Sequence, residues 1–570
     1  VEQMVEITGA KALVDSLKNE GVHVIFGIPG GAIMPVYDVL RDSDIRHILV
    51  RHEQHAAHMA DGYARVSKKP GVCMATSGPG STNLITGIAN AYMDSSPVIA
   101  FTGQVSTFVM GMGAFQETDM VGLTTPITKW SYQVKSVSEI PSIVKTAFKI
   151  AVSGRPGPVV IDLPRDIQTS FGEVDINDAK IVRKIINPSP PKLEIVKKIV
   201  EYLLESEKPV ILAGGGVKWA KAGKLLLELA EKLLIPIATT FMGKGVIPET
   251  HPLALRCVGM HGNPVAHEVI MNADLLLVIG ARLSDRTTCK IDEFGSGAKI
   301  IHIDVDPSEI GKNKDVDIGL VASADQALKA ILECLNQIAF KKEKSSWMKK
   351  IEEVREKWRE VIGEDGAINK SEVSSVFKAL RRAAPPSTIV TTEVGQNQMW
   401  ASIFWTVIEP DTFISSGGLG TMGFGFPAAI GAKIARPDLP VIDIAGDGSF
   451  LMNENNLAVV SSEDIPVIVV ILDNRVLGMV AQWQRIFYNR RYSAVQFKDI
   501  PDFVKLAEAY NVEGIRTNNP EEIEKAVSRA IRNNTALLVD VPINPEEDVL
   551  PFVPPGRSYK DVILPGGLRK

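Results

Sequence analysis

Two oxygen-bearing side chains follow strand-like runs in the last third of the 570-residue chain. Asp447 stands in Gly-Asp-Gly directly after the run VIDIA, and Asn474 comes two residues after the run IPVIVVIL. Carboxyl ends of neighbouring parallel strands meet at one edge of a sheet, so these side chains are expected to lie together. Such oxygens suit Mg²⁺, which usually keeps phosphate or water ligands too. Gly446 and Gly448 would admit a diphosphate to the backbone, so the segment predicts a metal-diphosphate site.

The elements that must position these residues follow a repeating pattern. β-Branched runs such as VHVIFG, VVIDLP, LLLVIG and KIIHIDV alternate with amphipathic stretches, which is typical of parallel sheets covered by helices. Breaks at INPSPPK and at the charged stretch 340–360 predict an α/β protein with three domains, at 1–185, 190–340 and 365–570. The proline-rich tail LPFVPPGRSYKDVILPGG is expected to lie along the surface.

The composition favours small-molecule chemistry. Lys and Arg total 62 against 67 Asp and Glu, a formal charge of -5, and no long basic run predicts binding to nucleic acid or to a membrane surface. The four cysteines form no CxxC pair, which argues against a zinc site or a disulfide framework. The first residues lack the apolar core of a signal peptide, so a cytoplasmic protein is expected.

The Asp447 and Asn474 constellation resembles the thiamine-diphosphate motif, and further segments extend the resemblance to the acetohydroxyacid synthase family. These segments are RHEQHAAHMADGYAR, SGPGSTN, GRPGPVVIDLP, GQNQMW, SSGGLGTMGFGFPAAIGA and LGMVAQWQ. The resemblance implies three doubly wound parallel-sheet domains, which in chain order bind the pyrimidine, FAD, and the diphosphate with Mg²⁺. It also implies that pyruvate is decarboxylated and its two-carbon unit is joined to a second pyruvate or to 2-ketobutyrate. That reaction is the first common step of branched-chain amino acid biosynthesis.

The same resemblance assigns the thiamine-diphosphate site. Glu53 in RHEQ matches the glutamate that hydrogen-bonds N1′ of the aminopyrimidine, and Met422 matches the apolar wedge under the two rings. Gly31, Phe115 and Gln116 match residues that line the reacting C2 atom. The other cofactor contacts fall on Gly446, Asp447, Gly448, Ser449, Asn474 and Met479, and the Mg²⁺ ligands on Asp447, Asn474 and the backbone carbonyl of Val476.

Substrate and flavin residues are carried over in the same way. Arg286 matches the cation for the second substrate's carboxylate, and Trp483 with Met479 matches the pocket for its side chain. The flavin contacts fall on Arg155, Gly214, Gly215, Gly216, Thr240, Met242, His261, Gly280, Arg282 and Asp304. Two departures concern FAD: Ser284-Asp285 replaces an acidic pair, and Ser323-Ala324 replaces a Gly-Asp-Ala turn.

The resemblance also implies an assembly and leaves rival functions open. Glu53 of one subunit is expected to face the diphosphate site of another, in a homodimer or homotetramer, and a separate regulatory small subunit is a further candidate partner. The rivals are a flavin-free catabolic acetolactate synthase, another 2-keto-acid decarboxylase or pyruvate oxidase, and a non-catalytic thiamine-diphosphate-binding scaffold. The chain has no adjacent His-His pair of the decarboxylase type, and Glu53 distinguishes it from glyoxylate carboligase.

Overall fold

A computed structural model describes residues 4–178, 180–185, 187–338, 346–362 and 371–565. Within these ranges the chain forms three six-stranded sheets, each entirely parallel, and one two-stranded ribbon. The expected α/β class with parallel sheets is therefore confirmed. No helix in the described ranges is long and apolar enough to cross a membrane.

The N-terminal domain is built on the first parallel sheet. Its strands are β1 (Val5–Thr8), β2 (Val24–Gly27), β3 (Arg46–Leu49), β4 (Gly71–Ala75), β5 (Val98–Gln104), β6 (Trp130–Gln133), β7 (Val159–Pro164) and β8 (Phe171–Val174). Its helices are α1 (Gly9–Asn19), α2 (Met34–Arg41), α3 (Glu53–Ser67), α4 (Pro79–Asn83), α5 (Ile85–Met93), α6 (Met120–Thr124), α7 (Ile140–Val152) and α8 (Arg165–Thr169). The sheet order is β3-β2-β4-β5-β7-β6, and β1 pairs with β8 in the ribbon. Strands β4, β5 and β7 are buried along their whole length because helices cover both faces.

The central domain is built on the second sheet. Its strands are β9 (Pro209–Ala213), β10 (Ile237–Thr239), β11 (Ala254–Cys257), β12 (Leu275–Ile279), β13 (Lys299–Asp304) and β14 (Ile318–Val321). Its helices are α9 (Leu193–Glu205), α10 (Gly215–Trp219), α11 (Gly223–Leu233), α12 (Pro264–Met271), α13 (Asp285–Thr288), α14 (Ala324–Asn336) and α15 (Ser346–Trp358). The order β11-β10-β9-β12-β13-β14 is that of dinucleotide-binding sheets, with the strand order reversing between β9 and β12.

The C-terminal domain is built on the third sheet. Its strands are β15 (Ile389–Thr392), β16 (Phe413–Ile414), β17 (Val441–Gly446), β18 (Ile468–Asp473), β19 (Glu513–Arg516) and β20 (Leu537–Pro542). Its helices are α16 (Glu372–Ala383), α17 (Gln396–Phe404), α18 (Gly425–Ala435), α19 (Asp447–Phe450), α20 (Leu457–Ser462), α21 (Gly478–Phe487), α22 (Phe503–Ala509) and α23 (Pro520–Asn533). The sheet order is β16-β15-β17-β18-β20-β19.

Helices α3 and α18 pack directly against each other and join the N-terminal and C-terminal domains. Each helix carries one glycine at the crossing. A Cβ at Gly62 would overlap the carbonyl oxygen of Ala428, and a Cβ at Gly431 would overlap the carbonyl oxygen of Met59. The two backbones approach this closely only because both positions lack a side chain.

The described part of the C-terminal tail is anchored by buried apolar side chains, although residues 555–557, 560 and 561 are exposed. Phe552 and Val553 are 0% exposed, and Tyr559 and Leu564 are also buried. The Tyr559 ring stacks on His267 of the central domain with 3.8 Å between centroids. The apolar side chains between the prolines supply the reason, because their burial offsets the cost of ordering the extended segment.

Candidate active site

Asp447 and Asn474 lie side by side at the carboxyl edge of the third sheet. Asp447 is the first residue of α19 after β17, and Asn474 follows the neighbouring strand β18, whose Leu472 is in register with Gly446. The backbone N–H of Gly448 donates to Asp447 Oδ1 at 2.7 Å, and the N–H of Arg475 donates to Asp447 Oδ2. The two predicted ligand side chains therefore face the same space beyond the sheet.

The Asp447 carboxyl is held where negative charge is costly. Burial, together with the neighbouring Asp473 carboxyl, raises the pKa of Asp447 to about 8. Asp473 is itself paired with Arg516, with 2.9 Å between the charged atoms. A cation bound at Asp447 would relieve this penalty.

The donor set at this edge fits Mg²⁺ only in company with another ligand. The described residues hold no group of three or more His, Cys, Asp and Glu that could bind a metal on their own. Asp447 and Asn474 supply two side-chain oxygens, and Mg²⁺ usually takes one or two carboxylates together with substrate phosphates and water. The residues present thus suit a metal that is shared with a diphosphate.

The backbone at Gly448 is closely packed. A Cβ there would lie 3.1 Å from both Leu477 and Phe497, so a larger residue would require these side chains to shift. The Ser449 hydroxyl donates to the Gly446 carbonyl at 3.1 Å and so fixes the first turn of α19. The N–H groups of such a turn point outward and favour negative charge, as a diphosphate requires.

Sequence reasoning gave no role to the glutamines behind this edge. Asn474 Nδ2 donates to Gln396 Oε1 at 3.0 Å, and Gln396 Nε2 donates to Gln482 Oε1 at 3.0 Å. Asn397 Nδ2 donates to the Ile444 carbonyl at 2.9 Å beside Gly446. The motif GQNQMW contained the signal, but only the fold shows that its side chains orient Asn474.

Glu53 lies at the corresponding edge of the first sheet. It is the first residue of α3, and the ring of His52 caps that helix by accepting the N–H of Gln54 at 3.2 Å. Glu53 is half-buried, and its Oε2 accepts a hydrogen bond from Asn83 Nδ2 at 2.9 Å. A Cβ at Gly80 would lie 3.4 Å from Glu53 Oε1, so this carboxyl borders an open backbone segment.

Two other predicted residues lie beside the segment 76–80 that borders Glu53, and a third is exposed. The backbone of Gln116 has φ of 63°, and its Cβ lies 2.8 Å from where a Cβ of Gly78 would be. Gly31 has open space around its Cα, and its neighbour Ala32 donates its N–H to Thr76 after β4. Phe115 is 88% exposed.

Met422 stands in a glycine-rich loop in front of α18. Gly420 and Gly423 adopt positive φ values of 73° and 92° on either side of it. The N–H groups of Gly423 and Phe426 donate to the buried Glu393 carboxylate at 2.7 and 3.0 Å. Met422 is half-buried. It lies just before α18, whose start is held by these bonds to Glu393.

A second buried carboxyl lies beneath Glu393. Thr391 Oγ1 donates to Asp443 Oδ1 at 2.8 Å, and the other Asp443 oxygen has no hydrogen-bond partner. Burial and the charge of Glu393 raise the pKa of Asp443 well above its usual range. Because Glu393 accepts several donors in its ionised form, the pair keeps its proton on Asp443.

The two edges are separate within one chain. Among the described residues, no hydrogen bond or ion pair joins Glu53 to Asp447, Asn474 or Met422. Helix α3 reaches the C-terminal domain through His55, which lies 3.2 Å from Asn456 Nδ2. The expectation that a second subunit completes the site stays a prediction.

A cavity of about 540 Å³ lies at the carboxyl ends of the central strands and is bordered by all three domains. The predicted flavin residues that line it are Arg155, Gly215, Gly216, Thr240, Met242, Gly280, Arg282 and Asp304. Gly214 caps α10 beside them. Ser284, Ser323 and Ala324, where the sequence departs from the family, also line it. The position at the β9–β12 reversal, with a helix N-terminus facing in, suits a dinucleotide.

Polar groups at one end of the cavity are tied together. Arg155 Nη1 donates to Glu309 Oε1 at 3.1 Å, and Arg155 Nε donates to Ser95 Oγ at 2.8 Å. Burial raises the pKa of Asp304 to about 6. His261 is placed elsewhere: it is buried outside the cavity, and its Nδ1 lies 3.0 Å from the Pro551 carbonyl oxygen.

The tail lies between the predicted substrate residues. The Phe552 ring contacts Trp483, with 6.4 Å between centroids, and stacks on His261 at 5.1 Å. Val553 donates its N–H to the Met260 carbonyl at 2.7 Å, and Arg286 Nη1 lies 3.2 Å from Met260 Sδ. Arg286, on the central domain, and Trp483, on α21, are thus held at the same tail segment, with Met479 half-buried one turn before Trp483.

Comparison with known proteins gives matches along nearly the whole chain. Models of thiamine pyrophosphate enzymes match three parts: the N-terminal TPP binding domain at 7–123, the central domain at 196–331 and the C-terminal TPP binding domain at 393–541. The chain is 50% identical to a probable acetolactate synthase large subunit of Methanocaldococcus jannaschii, over 98% of this chain and 95% of that one. It is 41% identical to the acetolactate synthase isozyme 2 large subunit of Escherichia coli, over 98% and 99%.

Proposed function

The chain belongs to the acetolactate synthase large subunits of the thiamine pyrophosphate enzyme family, and we propose that it condenses two 2-keto acids in the way that name describes. The observation that carries the proposal is the pair of sheet edges. One edge presents Asp447 and Asn474 beside the first turn of α19, and the other presents Glu53. When bound, thiamine diphosphate supplies the electron sink for decarboxylating pyruvate and for transferring its two-carbon unit.

The chain's own residues anchor and orient the cofactor. Asp447, Asn474 and the Val476 carbonyl would hold Mg²⁺, and the α19 amide groups would receive the diphosphate. The Glu53 carboxyl would hydrogen-bond N1′ of the pyrimidine, and Met422 would support the bent arrangement of the two rings. Gln116 would donate a hydrogen bond to the oxygen that develops charge.

Acceptor choice is assigned to the surface beside the tail. The Arg286 guanidinium, more than half exposed, would pair with the carboxylate of a second pyruvate or of 2-ketobutyrate. Trp483 and Met479 would contact the acceptor's alkyl group. The pocket would distinguish the two acceptors by one methylene. Such a difference is worth about 1–3 kcal/mol of discrimination.

The interdomain cavity is assigned to FAD as a structural ligand, because the reaction has no net redox change. The glycines after β9 and β12 support this assignment, because Gly215, Gly216 and Gly280 line the cavity. Bare backbone at this position lets a dinucleotide approach closely.

The active assembly is proposed to be a homodimer or a larger multiple of it. The exposed apolar side chains of Phe108, Met112 and Phe115, at 71%, 75% and 88%, support this by clustering on the loop beside Gln116. The relatives are named large subunits, so a separate small subunit is proposed as a further partner.

The test is the product formed by the purified chain from pyruvate, Mg²⁺ and thiamine diphosphate, with and without FAD. Acetolactate formed only in the presence of FAD is expected. Acetolactate without flavin dependence would favour a catabolic synthase, and acetaldehyde or acetate would favour a decarboxylase or oxidase. No turnover would support a non-catalytic scaffold.

A further inference from the structure

A buried polar network ties helix α3 to the loop that carries Met422. Arg65, in the last turn of α3, donates from Nη1 to the Ser415 carbonyl at 2.8 Å and from Nη2 to Asp94 Oδ2 at 2.9 Å. Asp94 Oδ1 accepts the N–H of Gly418 at 2.6 Å. We call these contacts of Arg65 and Asp94 with residues 415–418 the clasp.

A second set of bonds supports the clasp from α3 and α5. Asp61 accepts Arg65 Nε at 2.7 Å and Asn90 Nδ2 at 2.9 Å. Asn90 Oδ1 in turn accepts the hydroxyls of Ser416 at 2.6 Å and Thr421 at 3.1 Å. Buried networks in which the polar groups are paired favour one geometry, so the loop from 415 to 421 is held in one arrangement.

This arrangement sets where Met422 stands. Thr421 is bonded to Asn90 on one side of Met422, and Gly423 is bonded to Glu393 on the other. A shift of the clasp would therefore be transmitted to Met422 through residues 419–421. Helix α3 begins at Glu53 and ends beside Arg65, so the same rigid helix runs from the predicted pyrimidine contact to the clasp.

The clasp also forms part of the cavity wall. Arg65, Asp94, Ser415 and Gly417 all line the cavity between the domains. A Cβ at Gly417 would lie 2.9 Å from Phe241 and would overlap Met242 Sδ, so the loop is in direct contact with the central domain. A ligand in the cavity would touch the groups that hold the loop.

We propose that the clasp is a positioning unit through which a dinucleotide in the cavity and thiamine diphosphate at the Met422 loop strengthen each other's binding. The proposal rests on the proposed function. A ligand packed against Asp94 and Gly417 restricts the loop, so that thiamine diphosphate then has less ordering left to impose. Coupling of this kind is reciprocal, and each ligand is expected to tighten the other by about fivefold or more.

The experiment measures binding in the full-length protein by calorimetry. Thiamine diphosphate with Mg²⁺ is titrated with and without saturating FAD, and FAD is titrated with and without thiamine diphosphate. The wild type should show the same gain, about fivefold or more, in both directions. Hydrogen–deuterium exchange of residues 415–424 should slow when FAD alone is added.

Asp94→Asn is the main variant. It keeps the size of the side chain but turns one acceptor oxygen into a donor that faces Arg65 or Gly418. The coupling factor should fall to within about twofold of one, and FAD should no longer protect residues 415–424. Gly418→Ala breaks the same contact from the loop side, since its Cβ would lie 2.7 Å from Asp94 Oδ1, and it serves if Asp94→Asn fails to fold.

Asp162→Asn is the matched control. Asp162 is a buried carboxylate of the same domain that accepts Thr102 Oγ1 at 2.7 Å and Gln104 Nε2 at 3.0 Å. Its hydrogen bonds to the described residues stay within that domain. A merely structural effect would move both variants alike, whereas the clasp predicts that Asp162→Asn keeps the coupling.

The outcomes separate the clasp from the proposed function. A wild type that does not bind thiamine diphosphate would overturn the proposed function itself. A wild type that binds thiamine diphosphate but not FAD would overturn both the flavin assignment and the clasp, whereas one that binds both with coupling below about twofold would overturn the clasp alone. Retained coupling in Asp94→Asn, or equal loss in Asp162→Asn, would also overturn it.

Discussion

The N-terminal and C-terminal sheets have the same architecture and carry different side chains at their carboxyl ends. In both, the strands taken in chain order lie as second, first, third, fourth, sixth and fifth across the sheet. Helices α3 and α18, which occupy equivalent places in the two domains, pack against each other through Gly62 and Gly431. Yet Asp447 follows β17, whereas Thr76 follows the equivalent strand β4.

This difference teaches that the shared topology supplies an edge but not its chemistry. The C-terminal edge concentrates buried acidic groups, and burial raises the pKa of both Asp447 and Asp443. The N-terminal edge offers Glu53 with an amide partner, Asn83, and strand β4 has no charged residue. One edge is thus suited to a cation with a diphosphate, and the other to a neutral heterocycle.

Removing the carboxyl group of Glu53 at the N-terminal edge should have the largest effect on the reaction. Glu53→Gln should slow proton exchange at C2 of bound thiamine diphosphate by about 10² or more, because the amide cannot share a proton with N1′. NMR of the bound cofactor measures the exchange. Glu463→Gln, which alters a surface pair with Arg46, should leave the rate unchanged. An unchanged rate in Glu53→Gln would remove Glu53 from this role.

The C-terminal edge should respond through affinity instead. Asp447→Ala should raise the concentrations of Mg²⁺ and thiamine diphosphate at half-saturation by about tenfold or more, a cost of about 1.4 kcal/mol. Titration of each with the other in excess measures this. Thr76→Ala, at the equivalent place in the first sheet, should leave the Mg²⁺ dependence alone. Equal shifts in both variants would contradict the contrast between the edges.

Replacing the crossing glycine should destabilise the protein to a similar extent on α3 and on α18. Gly62→Ala and Gly431→Ala should each lower the free energy of unfolding by about 1–3 kcal/mol, because each added Cβ would meet a carbonyl oxygen of the facing helix. Urea unfolding measures the loss. Gly297→Ala, whose Cβ would meet no atom within 4 Å, is the control. A large effect in only one of the pair would show that the packing is not reciprocal.

The buried carboxyl pair should make the stability of the C-terminal domain depend on pH. The folded state keeps a proton on Asp443 at pH values where the unfolded chain, with an ordinary pKa near 3.9, has lost it. This contribution to stability is present at low pH and falls as pH rises, by at most about 1.4 kcal/mol per unit. Asp443→Asn should lack the fall.

Thermal unfolding of both proteins between pH 5 and 8 measures the difference. Asp443→Asn should gain on the wild type as pH rises, because asparagine resembles the protonated acid. Asp285→Asn, which alters an exposed carboxylate, should follow the wild type across the range. A constant difference between Asp443→Asn and the wild type would place the proton elsewhere.

Local patterns were sufficient for the fold class and for placing Asp447, Asn474 and Glu53 just after strands. The alternation of apolar runs and amphipathic stretches predicts parallel sheets, and a strand followed by Gly-Asp-Gly predicts a residue at the sheet edge. The positions of Asp447 and Glu53 follow from such short-range signals. Their roles in the reaction and the domain boundaries stay predictions.

The remaining features depend on contacts between distant parts of the chain. Arg65 and Ser415 are 350 residues apart, and Gln396 and Gln482 are 86 apart, so no periodicity could pair them. The tail has the proline and glycine content of a surface loop, and only the fold reveals that Phe552 fits between His261 and Trp483.

The buried tail also has a consequence for how the protein is made. Tyr559 donates its hydroxyl to the Thr287 carbonyl and stacks on His267, so the central domain receives part of its packing from a segment that is synthesised 272 residues after Thr287. At typical elongation rates of about 5–20 residues per second, that face of the central domain stays uncovered for tens of seconds after β14 is synthesised. During this interval the surface of His267 that Tyr559 covers stays exposed to solvent.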